Sequence, residues 1–257
     1  MAKTLKNVEI HEWRPSLQKI GKTFLFFLII DFLFYFVIVV ISIFFDYKLS
    51  ETLPWIGVPG TIIIFMVVFA LLLPECIEGM YGVYERVEKG EIGECRVAEL
   101  LSMFPDDWYI FNDVILESAQ IDHILICPKG VYTIETKNYS GEIYGDSKEF
   151  EWTQIIGDKL IAFYNPVKQA NKHSFILGKN IRNQGFGIYV NSLVIFTSDS
   201  VDIKVVSPDV PVFHVSDLKK FFEDKEDKIP SNKCAEISNY IQNLISHSES
   251  VNEYLKK

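Results

Sequence analysis

Hydrophobic and polar positions divide this chain into an apolar N-terminal part and a patterned remainder. Residues 23–45 are mostly apolar, with one charge at Asp31, and residues 55–73 form a second apolar run without charges. As helices with a rise of 1.5 Å per residue, runs of this length span a hydrocarbon core of about 30 Å. The short polar link between them predicts a transmembrane helical hairpin at 23–73, preceded by a cytoplasmic segment at 1–22.

Charged residues around the hairpin predict its orientation. The N-terminal segment contributes five basic residues: Lys3, Lys6, Arg14, Lys19 and Lys22. The link between the runs has one, Lys48, and Arg86 and Lys89 lie in or at the end of a connector helix predicted at 74–89. Because basic residues remain on the cytoplasmic side of a membrane, we expect a two-span protein of the cell membrane with both termini in the cytoplasm.

The first apolar run allows other interpretations. A cleaved signal peptide has a shorter apolar core, and here a second run follows at once, so cleavage is disfavoured. Asp31 is costly inside a bilayer. It either makes a polar contact within a helix bundle, as in a homo-oligomer, or lies near the outer third of the first helix, where it is protonated or reaches water. Asp31 also suggests a third interpretation, in which the chain is part of a transporter or channel. Two spans with one acidic residue give this interpretation only thin support.

Beyond the hairpin, strand-like and helical patterns alternate. Gly90 and Gly93 predict a break before a helix at 94–104. Strands are predicted at 108–116, 120–127, 130–138, 141–145, 150–156, 160–163, 192–196 and 212–215, and helices at 165–183, 217–223 and 231–255. This order predicts an α/β fold in which helices flank a mixed central sheet, with the core at 90–200. The C-terminal strand and helices at 201–257 are expected to pack on that core.

The composition limits the classes of function. The 257 residues carry a formal net charge of −9 and are 49% hydrophobic, an excess that lies before about residue 75. An acidic protein is not typical of nucleic-acid binding, which needs Lys and Arg at the phosphates, although a local basic groove can lie on an acidic body. The four cysteines are widely spaced without a CxxC pair, which predicts reduced thiols and neither a disulfide framework nor a zinc site.

Charged residues on two neighbouring strands are the candidate chemistry. Asp122 lies within the run QIDHILI, and Glu135 and Lys137 lie at the end of the run VYTIETKN. Residues two apart on a strand point to the same face, so Glu135 and Lys137 project together. A tight turn at 128–130 joins the strands, and counting outward from it places Asp122 near Thr136, within diagonal reach of both.

These residue types suit phosphodiester hydrolysis. Two carboxylates offer the hard oxygen ligands that Mg²⁺ and Mn²⁺ prefer, and such an ion activates water. A lysine beside them can stabilise developing negative charge or help orient and deprotonate the attacking water. The alternative is a solvated sheet face, on which Glu and Lys alternate by chance. The neighbouring Asp122 and the hairpin favour a site, because charges on an apolar strand are costly to bury without a purpose.

The segment from about residue 90 to residue 180 resembles the nuclease-related domain (NERD) family of the PD-(D/E)xK nuclease superfamily. The motifs that carry the resemblance are, in order, GEIGE at 90–94, QIDHILI at 120–126, GVYTIETKNYSG at 130–141, Trp152, and NPVKQ at 165–169. The resemblance implies a restriction-endonuclease-like core for this segment.

The same resemblance implies roles for five residues. Asp122 and Glu135 correspond to metal ligands, and Lys137 corresponds to the catalytic lysine. Glu94 matches the family's helix glutamate, which helps to hold the metal directly or through water. Gln169 matches a later helix glutamine that lines the active site.

The leading hypothesis is a membrane-anchored nuclease that uses Mg²⁺ or Mn²⁺ at the cytoplasmic membrane face. DNA is favoured over RNA as its substrate, and Lys168 and Lys172 belong to a set of lysines that could face phosphates or only solubilise the surface. The expected partners are nucleic acid, the lipid bilayer and, through the hairpin, further copies of the chain. The alternative is a catalytically silent module that binds nucleic acid or protein, which the net charge of −9 favours slightly.

Overall fold

The structure, a computed structural model, describes part of the chain. Its backbone description covers residues 3–4, 58–117 and 119–255, and its side-chain description covers 79, 81–117 and 119–246. The chain divides into two compact units, one of Met1–Val8 with Lys89–Lys257 and the other of Glu9–Glu88.

The predicted hairpin falls largely outside this description. The run at 23–45 lies outside the described residues, and the run at 55–73 is described, from residue 58 onward, only as helical backbone. Where side chains are described, no helix is both long enough and apolar enough to cross a membrane. The hairpin therefore stays a prediction.

The described residues form the following elements. The strands are β1 (Lys3–Thr4), β2 (Tyr109–Leu116), β3 (Ala119–Cys127), β4 (Gly130–Lys137), β5 (Gly141–Asp146), β6 (Glu151–Ile156), β7 (Lys159–Tyr164), β8 (Val190–Phe196), β9 (Val201–Val206) and β10 (Val212–His214). The α-helices are α1 (Val58–Ser102), α2 (Pro166–Asn183), α3 (Leu218–Glu223) and α4 (Ser231–Leu255), and a 3-10 turn at Val215–Asp217 precedes α3.

A six-stranded mixed sheet forms the centre, in the order β1-β2-β3-β4-β8-β10. Strands β2, β3 and β4 pair antiparallel, whereas β8 pairs parallel with both β4 and β10. One face of the sheet packs against α2 and α4, through residues such as Leu177 and Ile237. The other packs against the last turns of α1 and against α3, through residues such as Leu101 and Phe222. The predicted α/β fold with a mixed sheet flanked by helices is confirmed.

A second, four-stranded sheet has the order β7-β6-β5-β9 and packs around the buried Trp152. A Cβ at Gly145 would lie 2.3 Å from the indole of Trp152, so only glycine fits there. Strand β9 was not among the predicted strands. Its residues alternate between half-buried and exposed, and it completes the sheet by pairing parallel with β5. Such a weakly apolar strand is stabilised by its partner rather than by its own sequence.

The predicted helix break at Gly90 and Gly93 was wrong, because α1 continues without interruption to Ser102. A Cβ at Gly93 would lie 2.8 Å from both Asn138 Cβ and Thr197 Oγ1. The glycine therefore permits close approach of the helix to the segments that follow β4 and β8. Glycine inside a helix can mark close packing as well as a break.

The predicted register of the β3–β4 hairpin was off by one residue. Cys127 pairs with Gly130, and the ladder continues to the pair His123 and Ile134. The next step along this register places Asp122 opposite Glu135, where counting from the turn had placed it near Thr136. The cause is a turn of two residues where three were assumed.

Candidate active site

The candidate site lies where β4 and β8 end side by side. These parallel strands remain in register up to Lys137 and Phe196, and Thr197 N then donates a hydrogen bond of 3.0 Å to Lys137 O. Each strand is fixed by the buried residues around it, so the polar side chains at this end are carried on a rigid frame. Neighbouring strand β3 contributes Asp122 to the same region.

Glu135 and Lys137 form a buried ion pair on one strand. Lys137 Nζ lies 2.5 Å from Glu135 Oε1, and the two side chains are 16% and 1% exposed, respectively. Burial by itself would lower the pKa of Lys137, but the adjacent Glu135 carboxylate outweighs burial and raises it. Lys137 is therefore a protonated hydrogen-bond donor at neutral pH.

Asp122 is fixed by the backbone of the neighbouring strand. Its Oδ2 accepts a hydrogen bond of 2.7 Å from Thr136 N. Burial raises the pKa of Asp122 well above its usual range, and the negative charges of Glu135 and Glu94 add to this effect. The carboxylate is thus held among other carboxylates in a place that disfavours its charge.

Glu94, predicted from its helix motif, belongs to this group. It lies on α1 one residue after Gly93, whose lack of a side chain brings the helix close to Asn138 and Thr197. Burial raises the pKa of Glu94 to about 7, with further contributions from the charges of Asp113 and Glu135. The structure therefore places Glu94 within electrostatic reach of Glu135.

Asp113 was not predicted from the sequence. The β2–β3 ladder pairs Asn112 with His123 and Val114 with Ile121, so Asp113 falls opposite Asp122 at an interruption of the ladder. Its φ of 51° lies in the left-handed region, which Asp tolerates better than most residues. Gln120 Nε2 donates a hydrogen bond of 2.7 Å to its carboxylate. The sequence offers no signal for this interruption.

Helix α2 supplies the opposite wall of the site. Its N-cap, Asn165, is fully buried, and Asn165 Oδ1 accepts a hydrogen bond of 2.9 Å from Val167 N. One turn later Gln169 Oε1 accepts a hydrogen bond of 3.3 Å from Lys137 Nζ. The ammonium of Lys137 is therefore held between Glu135 on its own strand and Gln169 on the helix.

His173 is a second residue that was missed. It lies one turn after Gln169, and its Nδ1 is 3.3 Å from Glu135 Oε2, with both side chains almost completely buried. Within the described part of the chain neither atom has a hydrogen bond, so the pair is close but not aligned. The sequence did contain a signal for His173. The motif NPVKQ places Gln169 at the site, and a residue four positions later lies on the same face of the helix.

Lys168 and Lys172 were predicted to contact nucleic acid. Both lie on α2, one turn apart and adjacent in sequence to Gln169 and His173, and Lys172 is exposed while Lys168 is partly buried. Among the described residues neither side chain forms an ion pair. Their role stays a prediction.

The donor set fits a hard divalent cation. Glu135 Oε2 is buried, and no hydrogen bond reaches it from the described residues. In the same part of the chain, no group of three or more His, Cys, Asp or Glu side chains is arranged to hold a metal ion. Mg²⁺ is commonly held by one or two carboxylates together with waters and substrate phosphates, so a pair of carboxylates is sufficient.

Residues 89–197 match the family model described as the nuclease-related domain, NERD. This segment is a nuclease-related domain. The match includes every residue predicted for the site, from Glu94 to Lys172, and confirms the family resemblance that the sequence motifs indicated.

A similar relative adds little about function. A Bacillus anthracis protein, named only as uncharacterized, is 43% identical over 91 residues, which are 33% of this chain and 43% of that protein. The chain thus matches less than half the length of this curated relative. No solved structure matches the chain.

Proposed function

We propose that the nuclease-related domain hydrolyses phosphodiester bonds of nucleic acid with the help of Mg²⁺ or Mn²⁺. The observation that carries this proposal is the position of Lys137, whose ammonium is held between Glu135 and Gln169 beside the carboxylate of Asp122. A buried cation surrounded by acceptors on rigid elements is suited to stabilise charge on a phosphate.

Asp122 and Glu135 would hold the metal, with Glu94 contributing directly or through water. When bound, such an ion polarises the phosphodiester and lowers the pKa of a water molecule. Burial, and after it the charges of neighbouring carboxylates, raises the pKa values of Asp122 and Glu94, and a bound cation would offset both effects. Hydrogen bonds from Thr136 N to Asp122 and from Lys137 Nζ to Glu135 would hold these two carboxylates in place before any substrate arrives.

Lys137 acts in this proposal as a charge-stabilising donor. Its pKa is raised by Glu135, so it remains protonated and can donate to a phosphate oxygen as negative charge develops. In the reaction a water molecule loses a proton and its oxygen forms a bond to phosphorus, while the bond from phosphorus to the leaving ester oxygen breaks and that oxygen takes up a proton, so that no net proton is gained or lost in these two transfers. Gln169 keeps the ammonium from turning entirely toward Glu135.

The proposal includes membrane anchorage through the hairpin at 23–73. Lys3–Thr4 pairs parallel with Tyr109 and Ile110, so residues before and after the hairpin belong to one sheet. A chain that leaves this sheet, enters a membrane and returns to the same sheet must cross an even number of times. This pairing supports two spans, and the basic residues of the N-terminal segment favour the cytoplasmic side.

DNA is the proposed substrate, with Lys168 and Lys172 at its phosphates. The two lysines lie on the helix that also carries Gln169 and His173, so a strand bound at the site would pass along their surface. Both are positive charges on a chain whose net charge is −9. Their contribution would weaken with added salt, because phosphate contacts release counterions.

The test uses the full chain purified in detergent with single-stranded DNA, double-stranded DNA and RNA. Each is incubated with Mg²⁺, Mn²⁺ or EDTA, beside Asp122→Asn, Lys137→Met and the control Lys159→Met, which lies on exposed β7. We expect metal-dependent cleavage that is lost in the two site variants and retained in the control. Absence of cleavage with every nucleic acid, by a folded chain that binds neither metal, would contradict the proposal.

A silent binding module is the second candidate, and one observation favours it. Lys137 Nζ already lies 2.5 Å from Glu135 Oε1, so a cation of the chain itself occupies one oxygen of a proposed metal ligand. In that case nucleic acid or protein would bind equally well with EDTA, and no substrate would be cut. The cleavage experiment therefore separates the two candidates.

A further inference from the structure

A cavity lies beside helix α2. It has a volume of about 550 Å³ and is bounded by α2, the first half of β8, the segment before β10, and α3 with Lys225, two residues beyond its end. This volume is within the range of small-molecule sites, about 300–1,000 Å³. Strand β10 pairs only with Val194–Phe196, so the earlier residues of β8 contribute to an open wall.

The cavity is separate from the candidate active site. Asn171 lines the cavity, whereas His173, two residues later on α2, faces Glu135. Residues two apart on an α-helix point about 160° away from each other. A ligand in the cavity would therefore lie on the far side of α2 from Glu135 and Lys137.

Two cations line the cavity. Arg182 is exposed in the last turn of α2, and Lys225 follows α3, with its Nζ lying 4.3 Å from the centre of the Phe221 ring. In the described part of the chain, neither forms an ion pair. Asp209 is the acidic residue of the lining, so the cavity carries more positive than negative charge on an acidic protein. This balance favours an anionic ligand.

Two large aromatic rings at the cavity are unusually exposed. Phe175 on α2 is 66% exposed, and Tyr189, just before β8, is 76% exposed. Exposed aromatic side chains that gather at a cavity are a sign of binding rather than of folding. Such rings offer flat surfaces on which a planar ligand stacks.

The floor of the cavity is polar and ordered. Ser192 is 8% exposed, and its Oγ lies 2.9 Å from Asn171 Oδ1 and 2.8 Å from Ser174 Oγ. This bonding holds the Asn171 carboxamide oxygen, while its amide nitrogen donates no hydrogen bond to other described residues. The amide nitrogen can therefore donate to an acceptor on the edge of a planar ligand.

We propose that this cavity binds a nucleoside phosphate, with the base against Phe175 and Tyr189 and the phosphate at Arg182 and Lys225. An anion without a ring would leave the aromatic residues unused, and a neutral planar molecule would leave the two cations unpaired. The same chemistry is offered by a free nucleotide and by one nucleotide of a nucleic-acid strand. The site does not depend on catalysis at Lys137.

Equilibrium dialysis of the detergent-purified full chain tests the proposal. The probes are AMP and a 5′-phosphorylated pentathymidylate, in EDTA so that the candidate active site stays without metal. We expect saturable binding of at least one probe, weakened about tenfold or more by Arg182→Gln and by Tyr189→Ala. Binding of AMP identifies a free nucleotide as a sufficient ligand, and binding of the pentathymidylate alone identifies a strand.

Two control variants test whether a loss of binding is specific to the cavity. Lys179→Gln removes an exposed charge from the same helix, 3.5 Å from Glu117, and Phe150→Ala removes an exposed ring immediately before β6. Both should leave binding within about twofold, because surface substitutions have small effects on the fold. The proposal is overturned if neither probe binds at millimolar concentration, or if Arg182→Gln and Tyr189→Ala bind as the unmodified chain does.

Discussion

Lys137 Nζ lies 2.5 Å from the carboxylate of Glu135, the residue two positions earlier on the same strand. The alternation of a strand puts both side chains on one face, and the packing of α2 over that face buries them. Glu135 is only 1% exposed, and its two carboxylate oxygens lie 2.5 Å from Lys137 Nζ and 3.3 Å from His173 Nδ1. The pair therefore couples stability to the proposed chemistry.

Removing the lysine alone should destabilise the domain more than removing the pair. Lys137→Met leaves a buried carboxylate without its cation, and breaking a buried pair costs about 3–5 kcal/mol. The double variant Glu135→Gln with Lys137→Met leaves no charge and should lose distinctly less than the sum of the single variants. Urea unfolding of all four proteins measures the coupling, and additive losses would show that the two side chains do not stabilise each other.

His173 is expected to act through Glu135 rather than on substrate. Its Nδ1 lies 3.3 Å from Glu135 Oε2, and removing such a supporting contact typically weakens metal affinity or activity 10–100-fold. His173→Leu should raise the Mg²⁺ concentration for half-maximal cleavage by about this factor. His173→Asn, which can place an amide nitrogen near the same position, should recover part of the loss.

The control for His173 is His214→Leu, a partly buried histidine that bonds Ser216 away from the site. It should leave the metal dependence unchanged. Equal losses in His173→Leu and His173→Asn, with unchanged metal dependence, would mean that His173 only fills space. Calorimetric titration with Mn²⁺ provides the same comparison if cleavage is too slow to follow.

The two glycines of the GEIGE motif should respond in opposite directions to alanine. A Cβ at Gly93 would be 2.8 Å from Asn138 Cβ, and forcing such a contact costs about 1–3 kcal/mol. A Cβ at Gly90 meets nothing within 4 Å, so Gly90→Ala should stabilise the helix by up to about 1 kcal/mol. Thermal unfolding of both variants measures the difference, and equal midpoints would contradict the close approach of α1.

The hairpin of β3 and β4 could be predicted because its residues follow a period of two and end in clear turn signals. The same period gave the shared face of Glu135 and Lys137, which is a local property. The register of the hairpin was predicted less well, because one residue more or fewer in the turn shifts every residue pair of the ladder. Gln169 and Glu94 were assigned to the site by the family motifs. No local sequence pattern predicts that they lie near the two strands.

What escaped prediction depends on contacts between distant parts of the chain. Asp113 reaches the site because the β2–β3 ladder is interrupted at this residue. The neighbouring residues in the sequence do not predict that Asp113 adopts a positive φ. His173 needed knowledge of which face of α2 covers the sheet. The interpretation of Gly93 as a helix break failed for the same reason, because its packing partners Asn138 and Thr197 are remote in sequence.

Cysteine reactivity offers a test of the core. Burial raises the pKa of Cys127 to about 12 and that of Cys234 to about 11, from an ordinary value of 9.0. With Cys76 replaced by serine, a disulfide reagent at pH 8 should modify the exposed Cys95 quickly and the two buried thiols only on unfolding.

The sign of the pH effect follows from these pKa values. Above pH 9 an unfolded chain releases thiol protons that the folded chain retains, so the stability that Cys127 and Cys234 contribute is present below pH 9. It is lost progressively as the pH rises toward 11 and 12. Replacing Cys127 by alanine should flatten this part of the stability profile, and rapid labelling of three thiols at pH 8 would contradict the buried positions.

Asn165 should be sensitive to a change of a single atom. Its Oδ1 caps α2, while its Nδ2 donates hydrogen bonds to Asp146 O, Ser147 O and Glu149 O, at 3.1, 3.2 and 2.8 Å. Asn165→Asp keeps the capping oxygen but sets a second acceptor against three carbonyl oxygens. We expect a loss of at least about 2 kcal/mol in urea unfolding, against about 1 kcal/mol for a cap alone.

The consequence should extend to the site, because Gln169 N bonds Asn165 O and the helix start fixes the position of Gln169. At temperatures where Asn165→Asp is still folded, metal-dependent cleavage should fall while the exposed control Asn183→Asp remains unchanged in both measurements. A variant that is destabilised yet fully active would show that the loop at 146–149 stabilises the fold without orienting α2. A variant unchanged in stability would mean that the buried amide is not needed.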